Sequence, residues 1–177
     1  MSSIGANNCS LRSALMPPDV PTMNESPPSA GFVVYGALKL SETKINAALV
    51  SAYLASGVMP QARTAFEGVT FEPVTGQSWA RLTGLPSGRA PAAMGSDAPQ
   101  EWTGILQLDV FHPKGTGTGP VLADADKALG FFTPGKRLEY QGQRVLIRRA
   151  ERSPIRTEDV WLSVAISIYC TAWTFPA

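Results

Sequence analysis

Charge, cysteine and histidine are all scarce in this sequence. Its 177 residues include 15 Lys and Arg, 14 Asp and Glu, two cysteines and one histidine, and the charged fraction is only 16%. A formal net charge of +1 lacks the basic surplus that marks most nucleic-acid-binding proteins. A surface with so few charges is one that a partner covers, so we expect the protein to oligomerise. The length suits one ordinary domain with a substantial core, plus some additional chain.

Long apolar runs are also absent. No stretch approaches the roughly 20 apolar residues that cross a bilayer, and the first residues lack the apolar core of a signal peptide. We therefore expect synthesis in the cytoplasm and no membrane partner. Cys9 and Cys170 lie at opposite ends of the chain, and two cysteines build neither a disulfide framework nor a metal cluster. Cys170 is predicted to be a small core residue in a strand.

Residues 1–39 differ in composition from the rest of the chain. Five prolines fall between positions 17 and 28, and at this density proline suppresses both helix and sheet hydrogen bonds. We interpret residues 1–39 as an N-terminal extension or arm, and residues 40–177 as the folded domain. One reading is an arm that drapes over a neighbouring subunit. The other is a start-site artefact, with the true start at Met16 or Met23, and both readings stay open at this point.

Two helices are predicted. The first begins after Ser41, a good N-cap residue, and its apolar positions recur on one helical stripe before Gly57 and Pro60 end it. The second begins at Pro120, because proline suits the first helical position. A Pro-Gly pair at positions 134–135 stops it. Its predicted buried stripe consists of Leu122, Ala125, Leu129 and Phe132.

Strands are predicted on both sides of the second helix. Alternation of apolar and polar residues indicates long strands over residues 102–112 and 160–173. A hairpin is expected over Arg137–Tyr140 and Gln143–Arg149, and two short strands at Val69–Phe71 and Trp79–Leu82. Residues 84–100 are rich in glycine, proline and alanine and have no periodicity, so we expect a long functional or mobile loop there.

One face of the two long strands is uniformly apolar and is predicted to be core. The other face carries small and amphipathic residues with aromatic residues at both ends, so it can sit against water or against another subunit's sheet. We expect Ile45 and Leu49 of the first helix to pack on the apolar face. The predicted fold class is α+β, with a mostly antiparallel sheet of four to five strands and two helices on one face. The predicted core residues of the sheet are Leu106, Leu108, Val110, Val164, Ile166 and Ile168.

No pattern of catalytic or ligand-binding residues emerges. The glycines within residues 115–119 precede a helix, but their spacing matches neither the P-loop nor the dinucleotide fingerprint. His112 is the single histidine, which leaves no paired metal ligands. Ser87 does not stand in a Gly-x-Ser-x-Gly elbow, although a pair of Ser87 or another serine with His112 stays open. We predict no enzyme activity and assign no catalytic residue, cofactor site or metal site.

Surfaces that contact other proteins are the remaining candidates for a functional site. Two glycine- or proline-rich segments lack the apolar residues to pack alone, and such loops commonly bind partners. A cluster of arginines on and just after the predicted hairpin is the one charge asymmetry of the chain. It is either a solvated strand end or a surface for an acidic partner or for DNA that passes nearby. The candidate contact residues are Ser87, Arg89, Met94, Lys114, Thr116 and Thr118, and the candidate basic patch is Arg144, Arg148 and Arg152.

Four segments follow one another in a characteristic order. They are the first helix at Ser41–Ser56, then Phe71-Glu72-Pro73 with Trp79-Ala80-Arg81-Leu82, the strand Trp102–Pro113, and the closing Val160-Trp161-Leu162-Ser163 with Ile166-Ser167-Ile168-Tyr169. This order resembles the tail terminator family of lambda-like long-tailed phages and its relatives in transposable phages. In that family, a Trp-led strand that ends Val-Phe-x-Pro precedes a helix, a hairpin and a final Trp-containing strand. The resemblance covers about residues 40–177.

The resemblance implies a structural virion protein at the head–tail junction. Members of the family form a hexameric ring on the finished tail tube, stop its polymerisation and offer a surface for head–tail joining. The implied partners are further copies of the chain, the tail tube protein and a head–tail connector or head-completion protein, with DNA in the lumen as a non-specific neighbour. The alternatives are another tail-tube, tail-completion or connector component of similar fold, and a small enzyme or binding module.

Overall fold

The computed structural model describes residues 42–95 and 98–174, and these residues belong to one compact unit. The predicted arm, its boundary near residue 40 and the cap residue Ser41 lie outside the described residues. The elements, in chain order, are α1 (Glu42–Ser56), β1 (Thr64–Phe66), β2 (Trp79–Pro91), β3 (Gln100–Pro113), α2 (Gly119–Phe131), β4 (Arg137–Tyr140), β5 (Gln143–Arg152), β6 (Arg156–Thr157) and β7 (Trp161–Thr174).

The predicted first helix is confirmed as α1. Ile45, Leu49 and Tyr53 follow one another at helical spacing and are at most 3% exposed. Gly57 ends the helix with a φ of +61°, a left-handed conformation that glycine adopts without a Cβ clash. A 3₁₀ turn at Gln61–Arg63 then leads into β1. The helix therefore presents one face to the core and stops where the sequence predicts.

A seven-stranded sheet forms the centre of the fold. Its strand order is β1-β2-β3-β7-β5-β4, and β6 also pairs with β7. The antiparallel pair β3–β7 runs from Gln100 opposite Thr174 to Pro113 opposite Trp161, which confirms both predicted long strands. The prediction of four to five mostly antiparallel strands is too low, and the parallel β1–β2 pair makes the sheet mixed. β1 and β6 have three and two residues, too few for alternation to reveal them.

The predicted loop over residues 84–100 is wrong in its first half. Residues 84–91 continue β2 and pair with β3, and only residues 92–99 connect the two strands. This half of β2 is an exposed edge, so it needs no apolar alternation. Its prolines are tolerated because an edge strand has no outer neighbour that requires their missing N–H. A bulge between Pro86 and Gly88 shifts the register of β2 against β3 by one residue, and the pairing continues beyond it.

The predicted strand at Val69–Phe71 is also wrong. Residues 67–78 form turns and irregular backbone, and the strand of this region is β1, which ends at Phe66. Phe71 is nevertheless half-buried, because its ring centroid lies 5.5 Å from that of Trp79. The apolar residues of this segment therefore reflect contact with the sheet and not strand pairing.

The second helix is confirmed as α2, but its buried stripe is rotated from the predicted one. Proline lies in the first helical turn, as expected. Leu122 and Leu129, which were predicted to be core, are only partly buried. Small residues face the sheet in their place and allow the helix to approach it closely. The fully buried residues of this region are Val121, Ala125, Ala128 and Phe132.

The predicted hairpin is confirmed as β4–β5. Gln141 and Gly142 form its turn with φ values of +46° and +79°, and two positive φ values are typical of a type I′ turn. Regular alternation from Val145 and Ile147 would place Arg149 on the core face of β5, but Arg149 is exposed. A register shift between Ile147 and Arg149 turns the strand, and the Arg149 guanidinium lies 4.0 Å from the centroid of the Tyr169 ring.

One core cluster joins the sheet to both helices. Strand register places Leu108 between Leu82 and Ile166, so the buried residues of three strands share one face. Both helices contribute buried side chains to the same cluster, and both therefore lie on this face. None of the described helices is both long and apolar enough to cross a membrane. All the predicted core residues of the sheet are at most 1% exposed, namely Leu106, Leu108, Val110, Val164, Ile166 and Ile168.

Candidate functional site

The two predicted contact segments lie beyond opposite ends of strand β3. Residues 92–99, which we call the hairpin tip, precede Gln100, whereas residues 114–118, which we call the Lys114 loop, follow Pro113. A strand of 14 residues extends for roughly 45 Å when straight. The structure therefore does not bring the predicted contact residues together. It places them where one domain can meet two different partners at once.

The β2–β3 hairpin is exposed over its outer half. Ser87 and Arg89 lie in β2, and the Arg89 guanidinium is 3.3 Å from Glu42 Oε1 at the start of α1. Met94 lies in the hairpin tip and is fully exposed. The tip is closed at its base, where the backbone N–H of Ala92 donates to the carbonyl of Pro99 at 2.8 Å. An exposed methionine at the end of a paired hairpin is a feature of a contact surface.

The Lys114 loop is a hydrogen-bonded turn. The backbone N–H of Lys114 donates to the carbonyl of Val160 at 2.9 Å, and the Thr116 hydroxyl donates to the carbonyl of Pro113 at 2.8 Å. Thr118 occupies the N-cap position of α2 but makes no side-chain capping hydrogen bond. The three side chains are exposed, so they remain accessible to a partner.

The candidate basic patch is largely neutralised. Arg144 Nε lies 3.3 Å from Glu139 Oε2, and Arg148 Nη2 lies 3.5 Å from Glu101 Oε1. Arg152 makes no ion pair within the described residues. These contacts favour the reading of a solvated strand face at Arg144 and Arg148, and they leave Arg152 as the cation available to a partner.

An ion pair between an exposed arginine and a buried aspartate lies on the outer face of the sheet, by which we mean the face opposite the helices. Arg81 donates from Nη2 and Nε to Asp109 Oδ2 at 2.8 and 3.1 Å, and Gln107 Nε2 donates to Asp109 Oδ1 at 2.9 Å. Asp109 is only 5% exposed, so these three hydrogen bonds offset its desolvation. Sequence reasoning placed Asp109 on this face but missed Arg81, which lies opposite it in register.

Aromatic rings close one end of the outer face. Trp79 stacks on Phe111 with ring centroids 4.0 Å apart, and Trp161 meets Trp79 edge-on at 6.2 Å. The indole N–H of Trp79 is buried and has no hydrogen-bond partner within the described residues. Val69 and Val160 are 63% and 56% exposed, so large apolar side chains reach solvent. Aromatic residues at the ends of this face were predicted, whereas their stacking depends on strand register.

His112 connects β3 to α2. Its Nε2 lies 2.8 Å from Asp124 Oδ2, and no hydroxyl group of the described residues hydrogen-bonds to it. Ser87 lies in the distant half of β2, so the Ser87–His112 pair that the sequence left open is not formed. The described residues contain no group of three or more His, Cys, Asp and Glu that could hold a metal ion. Burial raises the pKa of the Cys170 thiol to about 12, which keeps it protonated.

A groove of about 340 Å³ lies between α1 and the open half of β2, and we call it the acidic groove. The Trp102 indole N–H donates to Glu42 Oε1 at 3.1 Å within it. Gly84 leaves room beside Glu67, whose Oε2 would lie 3.6 Å from a Cβ at position 84. Sequence reasoning missed the groove because its residues come from four separate segments. Its apolar lining includes Ile45, Leu49, Leu85 and Trp102, and its carboxylates are Glu42 and Glu67.

Comparisons with known proteins give a family match and a solved structure of similar fold. A family model described as phage tail terminator protein matches residues 44–169, which is more than half of the chain. No curated protein matches. One solved structure, whose title states no function, has a TM-score of 0.63 at 19% identity and covers 78% of this chain and 99% of its own. Another, titled as the virion of a native gene transfer agent particle, has a TM-score of 0.46 at 18% identity, with 82% and 99% covered. The first of these shows similarity of fold alone.

Proposed function

Because this chain belongs to the phage tail terminator family and is therefore a structural protein of the phage tail, we propose that it caps the tail tube as a homohexameric ring. In that position the ring stops polymerisation of the tube. Its other side offers the surface for head–tail joining. The proposed partners are other copies of the chain, the tail tube protein and a head–tail connector or head-completion protein, and the place in the virion is the head–tail junction.

The family match carries this proposal. It runs from α1 through most of β7, so it includes every helix and strand of the domain and no single local motif decides it. Fold similarity at 19% identity supports the architecture. The function itself follows from membership of the family and not from a catalytic or ligand-binding group.

The placement of the exposed segments supports contact with two partners, one on each side of the proposed ring. The hairpin tip and the Lys114 loop lie at opposite ends of β3, and both carry exposed side chains. A terminator must contact the tube on one side and a head component on the other. Loops on a rigid sheet suit such contacts, because the sheet fixes their positions while the loops adapt to each partner.

The outer face of the sheet supports contact between copies. Its charged groups are paired locally, as in Arg81 with Asp109 and Arg149 with Glu151 at 3.0 Å. A neighbouring subunit can cover such a face without leaving an unpaired charge in the interface, which would be costly. Exposed apolar side chains such as Trp173, at 47% exposure, add area that favours burial.

Assembly on tails tests the proposal. The purified full-length chain would be studied by native mass spectrometry, and then added to tails from a phage whose own terminator gene is inactivated. We expect hexameric rings in solution and, by negative-stain imaging, rings at one end of tubes of uniform length. Tails without added protein serve as the control and should be of variable length. A chain that stays monomeric and leaves tube ends bare would overturn the proposal, and binding to heads but not to tails would favour a connector role.

A further inference from the structure

We infer that successive copies of this chain join through opposite edges of the sheet, with the acidic groove of one copy receiving a basic corner of the next. The basic corner comprises residues 152–156, in which Arg152 ends β5 and Arg156 begins β6. The inference rests on the proposed ring, because a closed ring requires each copy to carry two different surfaces that fit each other. It specifies the partner of each surface as a second copy of this chain.

Both surfaces lie on open sheet edges. Strand β1 covers only residues 80–82 of β2, so the rest of its outer edge has no strand neighbour within the described residues. On the other side of the sheet, β4 covers β5 only as far as Leu146. Arg152 and Arg156 follow beyond that point and pair with β7 on their inner side. Contact between these opposite edges is head-to-tail, which is the arrangement that generates rings.

Prolines on both edges rule out continuous strand pairing between copies. Pro86 and Pro91 lie in the open half of β2, and Pro154 lies between β5 and β6. Proline has no N–H to donate, and natural edge strands use it to prevent uncontrolled pairing. The two edges must therefore recognise each other through side chains, so their charge and shape determine the fit.

The unpaired charges of the two edges are opposite in sign. Glu67 lines the acidic groove and makes no ion pair within the described residues. Arg152 and Arg156 on the opposite edge are exposed, and they likewise make no ion pair with any residue that the structure describes. Juxtaposition of these groups would give each charge a partner that it lacks in the single copy. Opposite charges across an interface also fix its register.

Neighbouring carboxylates do not cancel the basic corner. Glu151 is engaged by Arg149 at 3.0 Å, and Glu158 Oε1 accepts a hydrogen bond from the Ser163 hydroxyl at 3.1 Å. Asp159 is exposed in the turn before β7, after the corner has ended. Glu158 and Asp159 keep their charges, but neither forms an ion pair with Arg152 or Arg156 in the described part of the chain, so both guanidinium groups are available to the groove.

The apolar parts of the two surfaces also match. The corner reads Arg-Ser-Pro-Ile-Arg, so Pro154 and the half-buried Ile155 stand between its two cations. The groove has the complementary composition, with apolar side chains such as Leu85 and Trp102 and two carboxylates. Arg89 engages the Glu42 carboxylate at 3.3 Å, so Glu67 supplies the charge that is available to the corner. An apolar centre with charges at its margins is the usual composition of a protein–protein interface.

Charge reversal tests the inference. Four full-length variants would be compared with the parent by sedimentation velocity and native mass spectrometry at about 0.1 M salt, where exposed charges still interact over about 10 Å. They are Glu67→Arg, Arg156→Glu, the double variant with both changes, and the control Lys114→Glu. The control introduces a glutamate at an exposed cation outside both surfaces. We expect each single reversal to raise the assembly dissociation constant roughly tenfold or more, because like charges would face each other.

Mixing the two single-reversal variants gives the most specific test of the proposed contact. Glu67→Arg has an altered groove and an intact corner, and Arg156→Glu has the reverse, so an equimolar mixture offers complementary charges at every contact of an alternating ring. We expect that mixture and the double variant to recover assembly, and Lys114→Glu to assemble like the parent. Thermal unfolding of each variant checks that the fold is intact.

Failure of the edge contact and failure of the ring would give different results. Rings that form equally well from both single-reversal variants would overturn the edge contact and leave the proposed ring standing. Single variants that fail to assemble and do not recover on mixing would also overturn the specific pairing of these two surfaces. A parent chain that remains monomeric, alone and with tails, would overturn the ring and the edge contact together.

Discussion

At the scale of single residues, Gly104 shows how tightly one position can be constrained by its neighbour. The ring of Trp102 folds over it, and a Cβ at position 104 would lie only 2.7 Å from Cζ2 of that ring. The same indole donates its N–H to Glu42 at 3.1 Å. Trp102 thus connects the first turn of α1 to strand β3, and the absence of a side chain at Gly104 is what lets it do so.

Substitution of Gly104 by alanine tests this arrangement. The added methyl would displace the Trp102 ring and weaken its contact with Glu42, so we expect Gly104→Ala to lower the free energy of unfolding by about 1–3 kcal/mol. Urea denaturation followed by tryptophan fluorescence measures the change. The control is Gly130→Ala in α2, where a Cβ meets nothing within 4 Å. Alanine there should be neutral or stabilising by up to about 1 kcal/mol, and an equal effect of the two substitutions would contradict the argument.

At the scale of elements, the strands that the sequence predicts well are those with two different faces. β3 and β7 each bury one face fully against the helices and leave most of the other face half-buried, so their side chains alternate in polarity. The outer half of β2 is exposed on both faces and at its edge, so nothing in its sequence distinguishes it from a loop. Its structure depends on hydrogen bonds to β3, which belong to the backbone and leave no trace in side-chain pattern.

The candidate surfaces were harder to predict than the elements. The exposure of Ser87, Met94 and the Lys114 loop follows from their composition. The acidic groove requires Glu42, Glu67 and Trp102 to come together from distant segments. That proximity depends on strand order and on the packing of α1, which periodicity does not encode. The neutralisation of the basic patch likewise depends on contacts such as Arg148 with Glu101 across the sheet.

The hairpin tip carries a prediction at this scale. The contact role of the tip can be tested by removing it. A deletion that began at Ser87 would also remove residues of β2 that pair with β3, so the variant replaces only residues 92–98 with a short glycine-containing turn. The ladder between β2 and β3 then remains, and we expect an unchanged unfolding midpoint. Because Met94 and its neighbours would be lost, attachment to the tail tube or the head should fall.

Complementation of a phage that lacks its terminator measures the effect of the tip. The control is the parent chain with Met94→Leu, which keeps an apolar side chain of similar size at the tip and should complement fully. Normal tail length and normal head joining by the shortened variant would show that the tip is a tolerated surface insertion without a contact role.

At the scale of the whole molecule, the domain has one continuous core, whereas parts of both sheet edges have no strand neighbour within the described residues. One cluster of buried side chains includes residues of both helices and of β2, β3, β4, β5 and β7, so the domain is held together from within. The charged residues of the two open edges, Glu67, Arg152 and Arg156, lie outside that cluster, whereas Ile45, Leu49 and Trp102 of the acidic groove belong to it. Charge reversal at the edges therefore alters assembly contacts without removing a core side chain.

A graded series at Ile166 tests the unity of this core. Ile166 is fully buried in β7, opposite Leu108 of β3 and Arg152 of β5. We expect Ile166→Val to cost about 0.5–1.5 kcal/mol and Ile166→Ala about 2–5 kcal/mol, because truncation loses buried area and leaves a cavity. Ser167→Ala, on the outer face of the same strand, should stay within about 0.5 kcal/mol of the parent. Urea unfolding at several protein concentrations, followed by fluorescence and circular dichroism, should give coincident transitions since the elements share one core. Equal midpoints for Ile166→Ala and Ser167→Ala would place the core on the opposite face of the sheet.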